Sequence, residues 1–79
     1  MAEVFPNPAT NTFRIYLSLA EQQPVQMRLF GIDGKILLEK RISQWRGIVP
    51  VDASTYAPGI YFINITQGVF TKTIKLVKQ

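Results

Sequence analysis

The chain has 79 residues, a formal net charge of +4, and neither histidine nor cysteine. That length makes one domain, residues 1–79, near the lower limit for a self-sufficient core, and such a domain buries about 60–65% of its unfolded surface. With no disulfide or thiolate metal site available, apolar packing has to supply the stability. The plentiful isoleucine, valine, leucine and phenylalanine argue against disorder, and no apolar run approaches the roughly 18–20 residues of a membrane-spanning helix. Absence of cysteine leaves the compartment open. Met1, Ala2 and Glu3 supply neither the basic nor the apolar region of a signal peptide. The leading Met1-Ala2 is expected to begin a piece taken from a longer protein.

Along the chain the dominant pattern is alternation of period two, the mark of half-buried strands. The opening "VFPNPATNTFRI" is a stiff corner. Pro6 and Pro8 restrict their own φ and push Phe5 and Asn7 away from the helical region. Val4-Phe5 is expected to pair as a short first strand with Phe5 plugging one end of the core. Asn7 and Asn11 are expected to bond their own backbone in turns. In "TFRIYLSL", Phe13, Ile15, Leu17 and Leu19 share one face, opposite Arg14, Tyr16 and Ser18. "PVQMRLF" repeats the scheme with Val25, Met27 and Leu29 inward. Asp33-Gly34 then gives a hairpin signal, and "KILLEKRI" returns with Ile36, Leu38 and Ile42 expected inward.

"SQWRG" reads as a loop. "IVPVD" reads as a short strand that Pro50 confines to a sheet edge. "ASTYAPG" ends in Pro58-Gly59, the pairing of a type II turn. "IYFINIT" follows as the most apolar strand, with Tyr61, Ile63 and Ile65 on one side and Ile60, Phe62 and Asn64 on the other. Gln67-Gly68 is expected to turn the chain into "VFTKTIKLVK", where Phe70, Ile74 and Leu76 share a face that Lys72 interrupts; a bulge or a partly open face is needed there. No window shows helical periodicity with caps. Six or seven short strands with these turn signals predict an all-β, immunoglobulin-like sandwich of two antiparallel sheets.

Chemistry is scarce. Ser18, Ser43 and Ser54 have no imidazole to take a proton, and there is no thiol nucleophile. Glu3, Glu21, Asp33, Glu39 and Asp52 are scattered, so neither a carboxylate pair nor a metal cluster is expected. No cofactor is implied, and the chain is not expected to be an enzyme. A small basic β-domain could stack bases on Phe30, Trp45, Tyr56, Tyr61 and Phe62. These aromatics fall on different strands in alternation with aliphatics, as core residues do, and nucleic acid is not the expected partner. Trp45, beside Arg46, is either a binding anchor or a cover for the sandwich end. After Asp52 no acid follows, so Lys72, Lys75 and Lys78 stand unopposed. They suit an acidic partner, and equally a solvated edge strand.

Four stretches in register carry a resemblance: "VFPNPATNTFRI", "VQMRLFGIDGKILLEK", "VDASTYAPGIYFINI" and "TKTIKLVKQ". Over nearly the whole chain they resemble the C-terminal sorting domain of type IX (Por) secretion system cargo proteins of Bacteroidetes. Pro6, Asn7 and Pro8 match the first motif, Gly34 the turn motif, Gly59 and Tyr61 the G-x-Y motif, and Lys72, Lys75 and Lys78 the basic end. The resemblance implies a secretion signal that takes cargo from the periplasm through the outer-membrane translocon to the cell surface. There a sortase of the gingipain-like cysteine peptidase class cleaves the domain and joins cargo to anionic lipopolysaccharide, or the domain stays as a docking module. The linker where cleavage falls is expected to lie outside these residues. An accessory or adhesive sandwich of a larger secreted protein is the alternative. Exposed strand edges also make an edge-strand dimer an expectation.

Overall fold

Period-two alternation becomes strand along the chain. A computed structural model describes residues 1–79 as β1 (Ala2–Phe5), β2 (Thr12–Ser18), β3 (Val25–Phe30), β4 (Ile36–Ile42), β5 (Arg46–Asp52), β6 (Gly59–Gln67) and β7 (Phe70–Lys78), with no helix. A three-stranded sheet in the order β1-β2-β5 packs on a four-stranded sheet in the order β4-β3-β6-β7, every pair antiparallel. This is the Greek-key sandwich of immunoglobulin-like domains, with the fourth strand beside the third rather than beside the fifth. Apolar side chains from the two inner faces fill the space between: Phe13 and Ile15 from β2, Met27 and Leu29 from β3, and Ile63 and Ile65 from β6 are fully buried.

The β3–β4 connection shows how the turn residues act. Gly31 and Lys35 close a three-residue loop, and Gly34 N–H donates to the Gly31 carbonyl at 3.0 Å. Ile32 and Asp33 are therefore the central turn residues. Gly34 follows in the left-handed region at φ +82°, the arrangement of a turn closed by a glycine bulge. Asp33 Oδ1 accepts from Lys35 N–H at 3.0 Å. At the β6–β7 hairpin the two-residue loop is Gly68-Val69, with Gly68 at φ +56° and Val69 fully exposed. Gln67 is not part of that turn. It is the last inward residue of β6, buried, and its Nε2 donates to the carbonyls of Glu21 and Gln23, both at 2.8 Å, fastening the β2–β3 connection.

Several expectations about exposure are corrected. Phe5 does not plug the core; it is 48% exposed and packs edge-to-face on Tyr16 across the outer face. Ile36 is likewise exposed: the β3–β4 register shifts between Leu29 and Phe30, which sets Ile36 opposite the outward Phe30 rather than in line with the inward Leu38. Pro58-Gly59 is not a type II turn: Gly59 keeps a positive φ of +156°, which favours glycine, but it already pairs with Lys78 in the ladder. At Lys72 it is the partly open face, not a bulge, that holds: the β6–β7 register is unbroken, Lys72 is exposed, and its Nζ reaches across the sandwich to the Ala2 carbonyl at 2.8 Å. Pro50 stands on β5, at an edge of the smaller sheet, as its missing N–H requires.

Gly34 offers a clean test of the turn. An added Cβ would meet nothing within 4 Å, so steric contact contributes no cost. Gly34→Ala is expected to lose about 1–2 kcal/mol from the left-handed backbone alone. Urea denaturation of the two proteins, with an unchanged m-value, checks this.

Candidate recognition surface

Parts of the four motif regions, far apart in sequence, meet at one end of the sandwich; Lys72 does not, pairing with Ile65 toward the β6–β7 hairpin at the other end. β6 starts at Gly59 where β7 ends at Lys78, and Tyr61 pairs with Leu76. β3 ends at Phe30, opposite Phe62 near the start of β6, so the loop holding Gly34 projects from this end too. The segment after β1 crosses to the same place. Asn7 and Ala9 attach to the outer edge of β7, and the chain then returns to β2 in the other sheet.

The attachment of Asn7 is the main long-range feature. Its Nδ2 donates to the Lys75 carbonyl at 2.7 Å, and its Oδ1 accepts from Val77 N–H at 3.0 Å. Ala9 continues the pairing: its N–H donates to the Val77 carbonyl and its carbonyl accepts from Gln79 N–H, both at 2.8 Å. Together they form a parallel strap on β7, with Ala9 fully buried and bridged to Lys78. Asn7 therefore does not bond its own turn; its amide stands in for a backbone unit on a neighbouring strand. Pro6 and Pro8, both exposed and both preceded by cis peptide bonds, flank it. For Asn11 the contact is a main-chain one, its carbonyl accepting from Ala53 N–H at 2.8 Å.

Tyr61 has a role that alternation alone hides. It sits near the start of the sixth strand, and its hydroxyl donates to the Ala57 carbonyl four residues upstream at 2.5 Å. This is the tyrosine corner of Greek-key sandwiches, which fixes the chain as it crosses between sheets. Tyr56 packs against it with ring centroids 5.9 Å apart. Nearby, Asp52 Oδ1 accepts from Ser54 N–H at 2.9 Å, and this backbone hydrogen bond holds the carboxyl below its ordinary pKa.

The three lysines differ. Lys78 is buried, 7% exposed, on the inward face beside Ala9, which corrects the expectation of an exposed basic edge. Lys72 is committed to the Ala2 carbonyl. Lys75 is exposed on the outward face with no side-chain bond, and its carbonyl is held by Asn7. Trp45 lies at the opposite end, half-buried, its carbonyl accepting from Leu19 N–H at 3.0 Å and its ring under the Arg46 guanidinium at 4.9 Å. The largest concavity, about 430 Å³, is at that opposite end as well, between Met1, Leu19, Val69 and Phe70 with Arg46 on its rim. No motif residue lines a concavity. What the motif end offers a partner is a surface.

A model of the family described as the secretion system C-terminal sorting domain matches residues 3–79. The chain belongs to that family. It is a type IX secretion sorting domain, a signal that engages the secretion machinery and implies export toward the outer membrane or cell surface. No curated protein matches the chain.

Two substitutions test what the sorting domain's motif residues do for its fold. Asn7→Ala removes two hydrogen bonds and is expected to cost about 1–3 kcal/mol, at roughly 0.5–1.5 kcal/mol for each bond. Amide exchange at Val77 should accelerate with it, because that N–H then faces water. Tyr61→Phe keeps the ring and loses the bond to Ala57; it is expected to cost about 1 kcal/mol, read as a lowered thermal midpoint.

Proposed function

We propose that the motif end of the sandwich is the part of the signal that the outer-membrane translocon and then a surface sortase read. The chain takes no part in chemistry itself: cargo passes through the periplasm, and the folded domain acts as the address. At the surface the sortase cleaves the domain and links cargo to anionic lipopolysaccharide, or the domain is retained as a docking module. The observation that carries this reading is the convergence of Pro6–Pro8, Gly34, Gly59–Tyr61 and Lys75–Lys78 at one end. Residue 1 lies at the other end, where Met1 N donates to the Ser18 carbonyl. Anything joined before it leaves the motif end unobstructed. Of the four sheet edges, β4 is the one a second copy pairs with in an edge-strand dimer, because strap, lysine and proline occupy the other three.

Lys75 gives the cleanest test, because the fold does not use its charge. Replacing all three lysines would also break the Lys72–Ala2 bond and alter a buried position. The domain is fused behind a periplasmic reporter in a host with a type IX system, and wild type is compared with Lys75→Glu. Stability should change by less than about 0.5 kcal/mol, as at other exposed sites. Reporter held in the periplasm supports reading of the basic strand; normal surface delivery rejects it.

A further inference from the structure

The outward face of the β4-β3-β6-β7 sheet is divided. Toward the Gln67–Phe70 end its positions are polar: Gln26, Arg28, Asn64, Thr66 and Thr73. Asn64 Nδ2 donates to the Thr71 and Thr73 hydroxyls at 3.2 and 3.1 Å, and Arg28 Nε pairs with Glu39 at 3.0 Å. Toward the motif end the same face turns apolar. Phe30 stands opposite Phe62 and Ile60 opposite Val77, all partly exposed, with Lys75 next to Phe62 on the adjoining strand. A sheet with one face in water normally sets polar residues outward. These four point away from the core, which Tyr61, Ile63 and Leu76 supply from the other face, so packing within the chain does not account for them.

We propose that Phe30, Ile60, Phe62 and Val77, with Lys75 at the rim, form the docking surface for a protein of the export machinery that presents an apolar surface bordered by acidic residues. The proposal rests on the reading that the motif end is what the machinery recognises, and it names the side chains that do the recognising. Charge identifies the partner. The one ion pair of the chain neutralises Glu39, the only acid on this face, and leaves Arg41 and Lys75 without acidic partners. An apolar centre with a charged rim is the anatomy of a protein interface. The phenyl rings are half-buried among neighbouring strands, a flush surface that suits a protein face better than lipid insertion. The other sheet exposes Phe5, Tyr16 and Ile48 too, but Glu3 and Arg14 break up that area.

The test compares reporter fusions carrying Phe62→Thr with Val77→Thr, Ile60→Lys alone, Phe62→Leu, and Thr66→Val as a control on the polar half. Threonine retains strand propensity, and melts of the isolated domains establish folding. Surface delivery is expected to fall about tenfold or more for the folded double variant and for Ile60→Lys, the scale of losing one hot-spot side chain. Phe62→Leu and Thr66→Val should stay near wild type. A photocrosslinking residue at position 62 should give an adduct in exporting cells that Lys75→Glu weakens, and the same residue at position 66 should give none. Normal delivery by folded variants overturns the proposal. So does Phe62-dependent binding of the domain to phosphatidylglycerol vesicles or to single-stranded oligonucleotides, or a dimer that the double variant abolishes. Failure of the wild-type fusion to reach the surface overturns the sorting reading itself, and the docking surface with it.

Discussion

The two side-chain hydrogen bonds of Asn7 to the edge of β7 are the constraint on which this sandwich depends. β1 belongs to one sheet and β7 to the other. A chain leaving β1 could turn directly into β2, its antiparallel neighbour. Instead it detours across the end of the core, and the carboxamide of Asn7 reproduces the donor and acceptor of a peptide unit where no strand could continue. Proline on either side offers no N–H that would need a partner there. The detour covers Ala9 and Lys78, closes one end of the core, and ties the first residues to the last. Contacts spanning almost the whole sequence make the two termini fold or unfold together.

The four edges of a two-sheet sandwich are each open to pairing with another chain, and this small domain treats each differently. The strap covers the far part of β7. Lys72 reaches the Ala2 carbonyl on the edge of β1. In β5 the odd residues pair toward β2, as the flanking Leu19–Trp45 and Ala53–Asn11 bonds indicate, which leaves Pro50 facing outward without a donor. β4 relies on Glu39, Lys40 and Arg41 in its second half, and its first half, Ile36–Leu38, is apolar. Edges that do not pair indiscriminately keep so small a sandwich from associating with other chains.

Much of this was legible from residue order. Alternation identified the inward faces of β2, β3 and β6, and Pro50 identified an edge. Alternation says which side of a strand a residue occupies; it does not say whether anything lies over that side. Phe5, beside the inward Val4, alternates to the outer face; Ile36 is carried there by the register shift against Phe30; and Lys78 lies where a distant segment covers the inward side. The last outcome depends on a chain section far away in sequence. The same holds for Asn7, whose residue type suggests a local turn and whose partners are about seventy residues away. Tyr61 had a readable signal, a tyrosine just inside a strand after a Pro-Gly corner, but its meaning needs the knowledge that this is the sixth strand of a Greek key. Gly59 was read as a turn because of Pro58, yet the ladder to Lys78 already begins there.

A signal that is read as a folded surface has to divide its residues between making the fold and being recognised. Asn7, Gly34, Tyr61 and Lys72 are engaged in the first task, through hydrogen bonds or a backbone conformation that other residues would not supply. Altering them perturbs the scaffold and its presentation together, so loss of export at these positions says little about contact with the machinery. Lys75, Ile60 and Phe62 face outward from the same end without serving the core. Side chains of this second kind can change a partner's affinity while leaving stability alone. The scaffold positions them by pairing β6 with β7 and clamping β7 with Asn7. The proposed recognition surface and the fold-making residues are thus adjacent in space but separable in chemistry, residue by residue along two paired strands.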